Sequence, residues 1–200
     1  MRRKTLDALL STGGLVMAAV LVIAGALLMW GHSFANTQVH DQLSQQKIFF
    51  PTKAAIAAQA EPEITKYVTP YAGQQVTTGG QAEVFANHYI KVHLQKTAGG
   101  QTYSEVSSKF LSMKPTDANY QQVSQQRQTL FQGETLRGLL LNAYAFGTIA
   151  TIALIAAWVS FGGAALLLLL AGLGFWHSRR TAPDVEVLAP TYERDKVIIS

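Results

Sequence analysis

The chain has 200 residues, 48% of them hydrophobic and 14% charged, with a formal net charge of +4 and no cysteine. The missing cysteine excludes disulfides, thiol catalysis and thiolate metal sites. Between His32 and Arg137 nine Lys or Arg are interspersed with seven Asp or Glu, so no basic stripe points to nucleic acid. The apolar residues gather into two long segments, which marks a membrane protein.

Residues 1–8 form a short N-terminus that opens Met1-Arg2-Arg3-Lys4, and an apolar segment follows over 9–30, ending at Trp30. Positive charge before a span keeps that end in the cytoplasm. A cleaved signal peptide is the alternative, with Ser33-Phe34-Ala35 as its small-x-small site. Signal-peptide apolar regions run about 7–15 residues, and this one is nearer twenty, so an uncleaved anchor is expected. Ser11, Gly14, Ala18 and Gly25 fall at spacings that keep small residues on one helix stripe. Such a stripe lets a second helix approach closely in lipid.

Past Trp30 the helix can continue beyond the membrane over Ser33 to Phe50, with Val39, Leu43 and Phe50 on one side. It ends before Pro51, because the residue ahead of a proline disfavours helix. Lys53 to Ala60 reads as a short helix. Pro62, Pro70, Gly73, Gly79 and Gly80 then read as loop punctuation. Gln81 to Gln95 reads as a helix stopped by Ala98-Gly99-Gly100. Thr102 and Glu105 form a capping box, and Tyr103, Val106 and Phe110 give the next helix an apolar face. Pro115 breaks it. A last helix, capped by Thr116 or Asp117, is expected from about 117 to Ser178. Period-two stretches are short, the best being Gln74 to Thr78 and Val185 to Leu188, so the middle region is expected to be mainly helical.

The most informative stretch is Gly138 to Trp176, which contains no Asp, Glu, Lys, Arg or His. It is about twice the ~20 residues a span requires, so part of it lies outside the hydrocarbon. Trp prefers the water–lipid boundary, and Trp158 and Trp176 stand ~27 Å apart on a helix. That separation matches the ~30 Å apolar core. Arg179 and Arg180 then anchor the cytoplasmic end, and residues 158–176 form the second span. On this placement Gly138 to Ala157 is external, and its apolar surface is expected to be covered by protein. Ala143, Ala150, Ala157, Ala164 and Ala171 recur every seven residues, the spacing of a helix-packing seam. A hairpin at Phe161-Gly162-Gly163 is the competing topology. It leaves a second arm too short to span and places Arg179 and Arg180 outside, against the positive-inside bias.

Chemistry-bearing residues form no recognisable constellation. His88 and His93 are five apart, whereas a helical zinc pair is i, i+4, so no metal or cofactor is expected. Glu61 and Glu63 flank Pro62 as solvated charges. No serine sits in a nucleophile motif, and Gly79-Gly80 and Gly99-Gly100 read as turns rather than phosphate loops. Glu134 and Arg137, at i, i+3 just before the uncharged run, form either a possible partner contact or a surface ion pair. Asn142 and Tyr144 need hydrogen-bond partners if buried. The tail, 177–200, is expected to be disordered, and in it Val185 to Leu188 and Val197 to Ile199 are small apolar patches suited to docking.

Lys47 to Pro51 (KIFFP), Ala82 to Leu94 (AEVFANHYIKVHL), Thr102 to Ser107 (TYSEVS) and Arg127 to Phe146 resemble elements of an uncharacterised bacterial family of two-span membrane proteins with an external helical domain. The resemblance implies the topology and carries no activity, substrate or catalytic residue.

The expected fold is therefore mainly α. It has two transmembrane helices, the second extended beyond the membrane, and a small extracytoplasmic helical domain over 31–157. Both termini are cytoplasmic, in a cell membrane. Three functions are compatible with this: a non-enzymatic interaction, scaffold or accessory subunit; a ligand sensor signalling through a partner; and an envelope enzyme. The expected partners are the lipid bilayer and either another envelope protein or a second copy of the chain.

Overall fold

The computed structural model describes residues 3–180, and these are mainly helical. Helix α1 spans Arg3–Gln46, and α2 and α3 span Lys53–Gln59 and Pro62–Val68. A 3-10 turn at Thr69–Tyr71 leads to α4, Gly79–Val84. A π-helical stretch, Phe85–Ile90, runs on into α5, Lys91–Thr97. Helix α6 covers Tyr103–Ser112 and α7 covers Tyr120–Arg180. Among the described residues, α1 and α7 are the two helices long and apolar enough to cross a membrane.

Several element boundaries differ from the sequence reading, each for a local reason. Residues 62–71 are helical rather than loop. Pro62 sits at the first helical position, where its missing N–H has no partner to lose, and Ile64 and Val68 then share one fully buried face. Helix α4 begins at Gly79, two residues early, because Thr78 and Gln81 form a second capping box that satisfies the free N–H groups. Helix α7 starts at Tyr120 rather than near Asp117. The Asp117 carboxylate accepts from the Lys114 N–H at 2.8 Å, so it closes a turn ahead of the helix. The stretch from Gln74 to Thr78 contributes an isolated antiparallel bridge, Phe49 to Gln75. Helix α7 runs unbroken through Phe161-Gly162-Gly163. The expected patches Val185 to Leu188 and Val197 to Ile199 lie outside the described residues.

The chain divides into two units. The first, Met1–Trp30 with Ala153–Ser200, contains apolar parts of α1 and α7. There the two helices run antiparallel. A methyl group added at Gly14 would meet the Ala171 Cβ at 3.7 Å, and one at Gly163 would meet Leu21 at 3.3 Å. Gly25 faces the Phe161 ring and Gly174 faces the Ser11 hydroxyl. Large apolar side chains such as Val16, Ile23, Val159 and Leu169 point outward and are exposed.

The second unit, Gly31–Ile152, holds one hydrophobic core. Its contributors include Val39 and Leu43 of α1, Ile56, Ile64, Phe85, Val106, and Val123, Leu130 and Leu140 of α7. Helix α1 ends where Lys47 adopts a left-handed φ of 52°. The extended residues beyond it pair with the chain ahead of α4. Phe50 N–H donates to Gln74 O at 2.9 Å, and Val76 N–H donates to Ile48 O at 2.8 Å. Phe50 is buried against Tyr71 and Phe85, so the KIFFP segment locks the end of α1 to the small helices.

Candidate functional site

Within the second unit, α1 and α7 lie side by side in opposite directions. The His32 Nδ1 is 2.8 Å from the Ala150 carbonyl oxygen, and Val39, Leu43, Leu140 and Ala150 are buried. Next to this packed line the two helices leave a groove of about 530 Å³. One wall is Phe34, Ala35, Gln38, Gln42 and Gln46, and the other is Leu139, Asn142, Phe146 and Ile149. On α7 these residues fall at i, i+3, i+7 and i+10, the stripe a helix presents to a partner. Leu139 is 59% exposed, Phe146 51% and Ile149 56%. The groove contains no charged side chain; its polar groups are the amides of Gln38, Gln42, Gln46 and Asn142.

This changes one expectation. The part of the uncharged run within the second unit is covered by the protein on one face only. Leu140, Ala143, Gly147 and Ala150 face the core or close neighbours, whereas Leu139, Phe146, Ile149 and Ile152 remain exposed. The core helices of this unit are too few and too short to wrap a whole helix circumference.

The small residues of the sequence reading sit at close approaches. Ser11, Ala18, Gly25, Ala157, Ala164 and Ala171 are buried in the first unit, with Gly14 half-buried against Ala171. In the second unit Ala150 is buried and Ala143 is partly so. Trp30, Trp158 and Trp176 are all more than half exposed. Arg179 and Arg180 are exposed at the end of α7, and the Arg180 guanidinium lies 4.2 Å from the centre of the Trp176 ring.

Glu134 and Arg137 pair at 2.7 Å, but the pair is more than a surface contact. Arg137 also donates from Nη2 to Asn87 Oδ1 at 3.2 Å, and Asn87 donates to Glu83 at 2.8 Å. This chain of contacts ties α7 to α4 and to the π-helical stretch. Sequence reasoning missed Asn87 and Glu83, because nothing in a local pattern announces a π-helical turn or the residue fifty positions away that it aims at Arg137.

His88 and His93 each contact residues of neighbouring turns or helices. His88 Nδ1 lies 2.7 Å from Glu63 Oε1, and its ring stacks on Tyr67 at 3.9 Å. His93 contacts the Tyr89 carbonyl at 2.8 Å. Among the described residues no group of three or more His, Asp or Glu is placed to hold a metal ion. Glu61 pairs with Lys96 at 2.6 Å. In the α6 capping box, the Thr102 backbone N–H and then its hydroxyl hold the Glu105 carboxyl below its ordinary range. A smaller recess of about 220 Å³, lined by Tyr103, Arg127, Gln128 and Phe131, marks where α6 meets α7. There Arg127 donates to Ser107 Oγ at 3.1 Å and lies over the Phe110 ring.

Compared with known protein families, with characterised proteins and with solved structures, the chain matches none.

Proposed function

We propose that this is an integral membrane protein with both termini cytoplasmic and the helices between its two spans outside. In this reading it acts without catalysis, as an interaction, scaffold or accessory subunit, through the groove between α1 and α7. The bilayer placement draws on the register inside each unit. In the first unit Gly25 faces Phe161 and Leu21 faces Gly163, so Trp30 and Trp158 fall within about a turn of one level. Raising the membrane to cover Leu139 to Ile152 would draw in the opposing stretch of α1, with Gln38, His40, Asp41 and Gln42, polar groups that hydrocarbon leaves without hydrogen-bond partners. In this reading the groove faces water.

The observation that carries this reading is the exposure of Leu139, Phe146 and Ile149 in a groove outside the proposed bilayer. Contiguous apolar surface in water marks an interaction site. The test uses a membrane-impermeant maleimide on single-cysteine variants of this cysteine-free chain, in intact cells. Lys109→Cys is expected to label directly, and Arg179→Cys only after permeabilisation. Groove thiols at Phe146→Cys are expected to be shielded relative to Lys109→Cys. The reading is overturned if Arg179→Cys labels from outside, or if the groove thiol reacts as fast as the exposed control.

A further inference from the structure

From the way polarity is distributed along the groove we infer that it binds one lipid molecule of the outer leaflet, with an uncharged, hydroxyl-bearing head such as a sugar. The inference rests on the groove being an interaction surface and names what that surface takes. The antiparallel register set by the His32–Ala150 contact gives the groove two unlike ends. Ile149 and Phe146 lie level with Phe34 and Ala35, so one end is wholly apolar. Asn142 and Leu139 lie level with the Gln38 to Gln46 stretch of α1, so the other end carries all four amides. Among the described residues, the hydrogen bond these amides share is a long one, Gln42 Nε2 to Gln38 Oε1 at 3.5 Å, which leaves most of their donors and acceptors open to a ligand. The buried Leu43 and Leu140 also line this end, an apolar floor that suits the carbon face of a sugar ring.

Polarity therefore changes once along the groove. A bound helix repeats its polar and apolar groups every three or four residues and a strand every two, so either would set mismatched groups against both ends. A lipid changes once, from chain to head. No Asp, Glu, Lys or Arg lines the groove, so a phosphate or carboxylate head would lose hydration with no opposite charge to meet it. A hydroxyl, like an amide, is both donor and acceptor, so an uncharged head of that kind pairs with Gln42 and Asn142. The volume of about 530 Å³ falls in the ~300–1,000 Å³ range of small-molecule sites, which are mostly apolar with a few orienting polar groups. Orientation agrees as well. The apolar end is the one nearer Trp30 along α1 and Trp158 along α7. In the proposed topology that end is the nearer to the bilayer, where a lipid of the outer leaflet keeps its chains.

The test places the Phe146→Cys variant of this cysteine-free chain in nanodiscs of three compositions. One is phosphatidylcholine alone, and the others add a minor share of glucosyl diacylglycerol or of phosphatidylserine. The maleimide rate at Phe146→Cys should fall at least three-fold with the glycolipid and stay unchanged with phosphatidylserine, while Lys109→Cys reacts alike in all three. Adding Gln42→Leu and Asn142→Leu should remove the glycolipid effect. For the unmodified chain, native mass spectrometry after extraction from a membrane with equal amounts of glycolipid and phosphatidylserine should find the glycolipid retained in at least three-fold excess. Equal rates in all three membranes, or equal retention of the two lipids, overturns the inference, as does a glycolipid effect that survives the loss of both amides. If the glycolipid gives no protection while the thiol is shielded in native membranes, something other than such a lipid, a protein included, fills the groove. The lipid is then wrong and the interaction surface stands. If the thiol reacts freely in native membranes as well, both readings fall.

Discussion

Two adjacent glycines give the sharpest test of how the second unit is packed. Gly79 and Gly80 open α4, behind the Thr78 cap. A methyl group on Gly79 would lie 3.0 Å from the Ala143 carbonyl oxygen, 3.2 Å from the Tyr144 Cα and 3.4 Å from the Gly147 Cα. All three are backbone atoms of α7, held by that helix's own hydrogen bonds, so they have little freedom to move aside. Overpacking of this kind costs about 1–3 kcal/mol. Against it stands the gain from replacing glycine at an unstrained helical position, about 0.4–1 kcal/mol through the unfolded chain. The clash is the larger effect, and Gly79→Ala should destabilise by about 1–2 kcal/mol. Gly80 has nothing within 4 Å of the added methyl, so only the gain remains and Gly80→Ala should stabilise slightly. Thermal unfolding of the full chain in nanodiscs, followed by hydrogen exchange of peptides from α4 and α5, compares the two. At about 4 °C per kcal/mol for a unit of this size, the variants should melt on opposite sides of the unmodified chain. A Gly79→Ala chain that melts no lower than the unmodified one would refute the close approach of α4 to α7.

Two further outcomes follow from the polar contacts. Arg137→Met removes both the Glu134 pair and the hydrogen bond to Asn87, and should destabilise by about 1.5–3 kcal/mol, whereas Glu134→Ala should cost less than about 1 kcal/mol. A double-mutant cycle with Asn87→Ala should return a coupling of at least ~0.5 kcal/mol, and equal costs for Arg137→Met and Glu134→Ala would reduce the site to a surface ion pair. The depressed Glu105 carboxyl contributes stability that is complete above its ordinary titration range and is lost as pH falls through the lower folded value. Amide protection in α6 should therefore decline with acid in the unmodified chain and stay flat over the same range in Glu105→Gln, as read by hydrogen exchange across that window.

The parts of this fold that were legible from sequence rest on short-range rules. The Thr102 and Glu105 cap, the helix over residues 53–59 and the length of the two apolar helices follow from capping chemistry and composition, which neighbours in sequence decide. The second cap, at Thr78 and Gln81, follows the same pattern. It stayed hidden because Gly79-Gly80 reads as a turn, and the small residue at Gly79 is required by α7, some sixty positions away. Pro62 misled for the opposite reason. A proline both ends helices and starts them, and only the burial of Ile64 and Val68 decides between the two. The groove was illegible because periodicity shows that a stripe is apolar but not whether a neighbour covers it.

That distinction also explains why the uncharged run has two kinds of surface. Where α1 and α7 approach most closely, α7 presents alanine at seven-residue intervals, and Ala150, Ala157, Ala164 and Ala171 are all at most 5% exposed. A methyl side chain lets two backbones come together and contributes little apolar area of its own. The bulky residues sit around the circumference, away from that line. In the first unit, outward Leu, Ile and Val suit a helix pair in lipid, and hydrocarbon satisfies them. In the second unit the same kind of helix carries Leu139, Phe146 and Ile149 on the side that the small helices do not reach, opposite three glutamines of α1. Around the groove, lipid would satisfy Leu139, Phe146 and Ile149 but strand the glutamine amides, and bulk water the reverse.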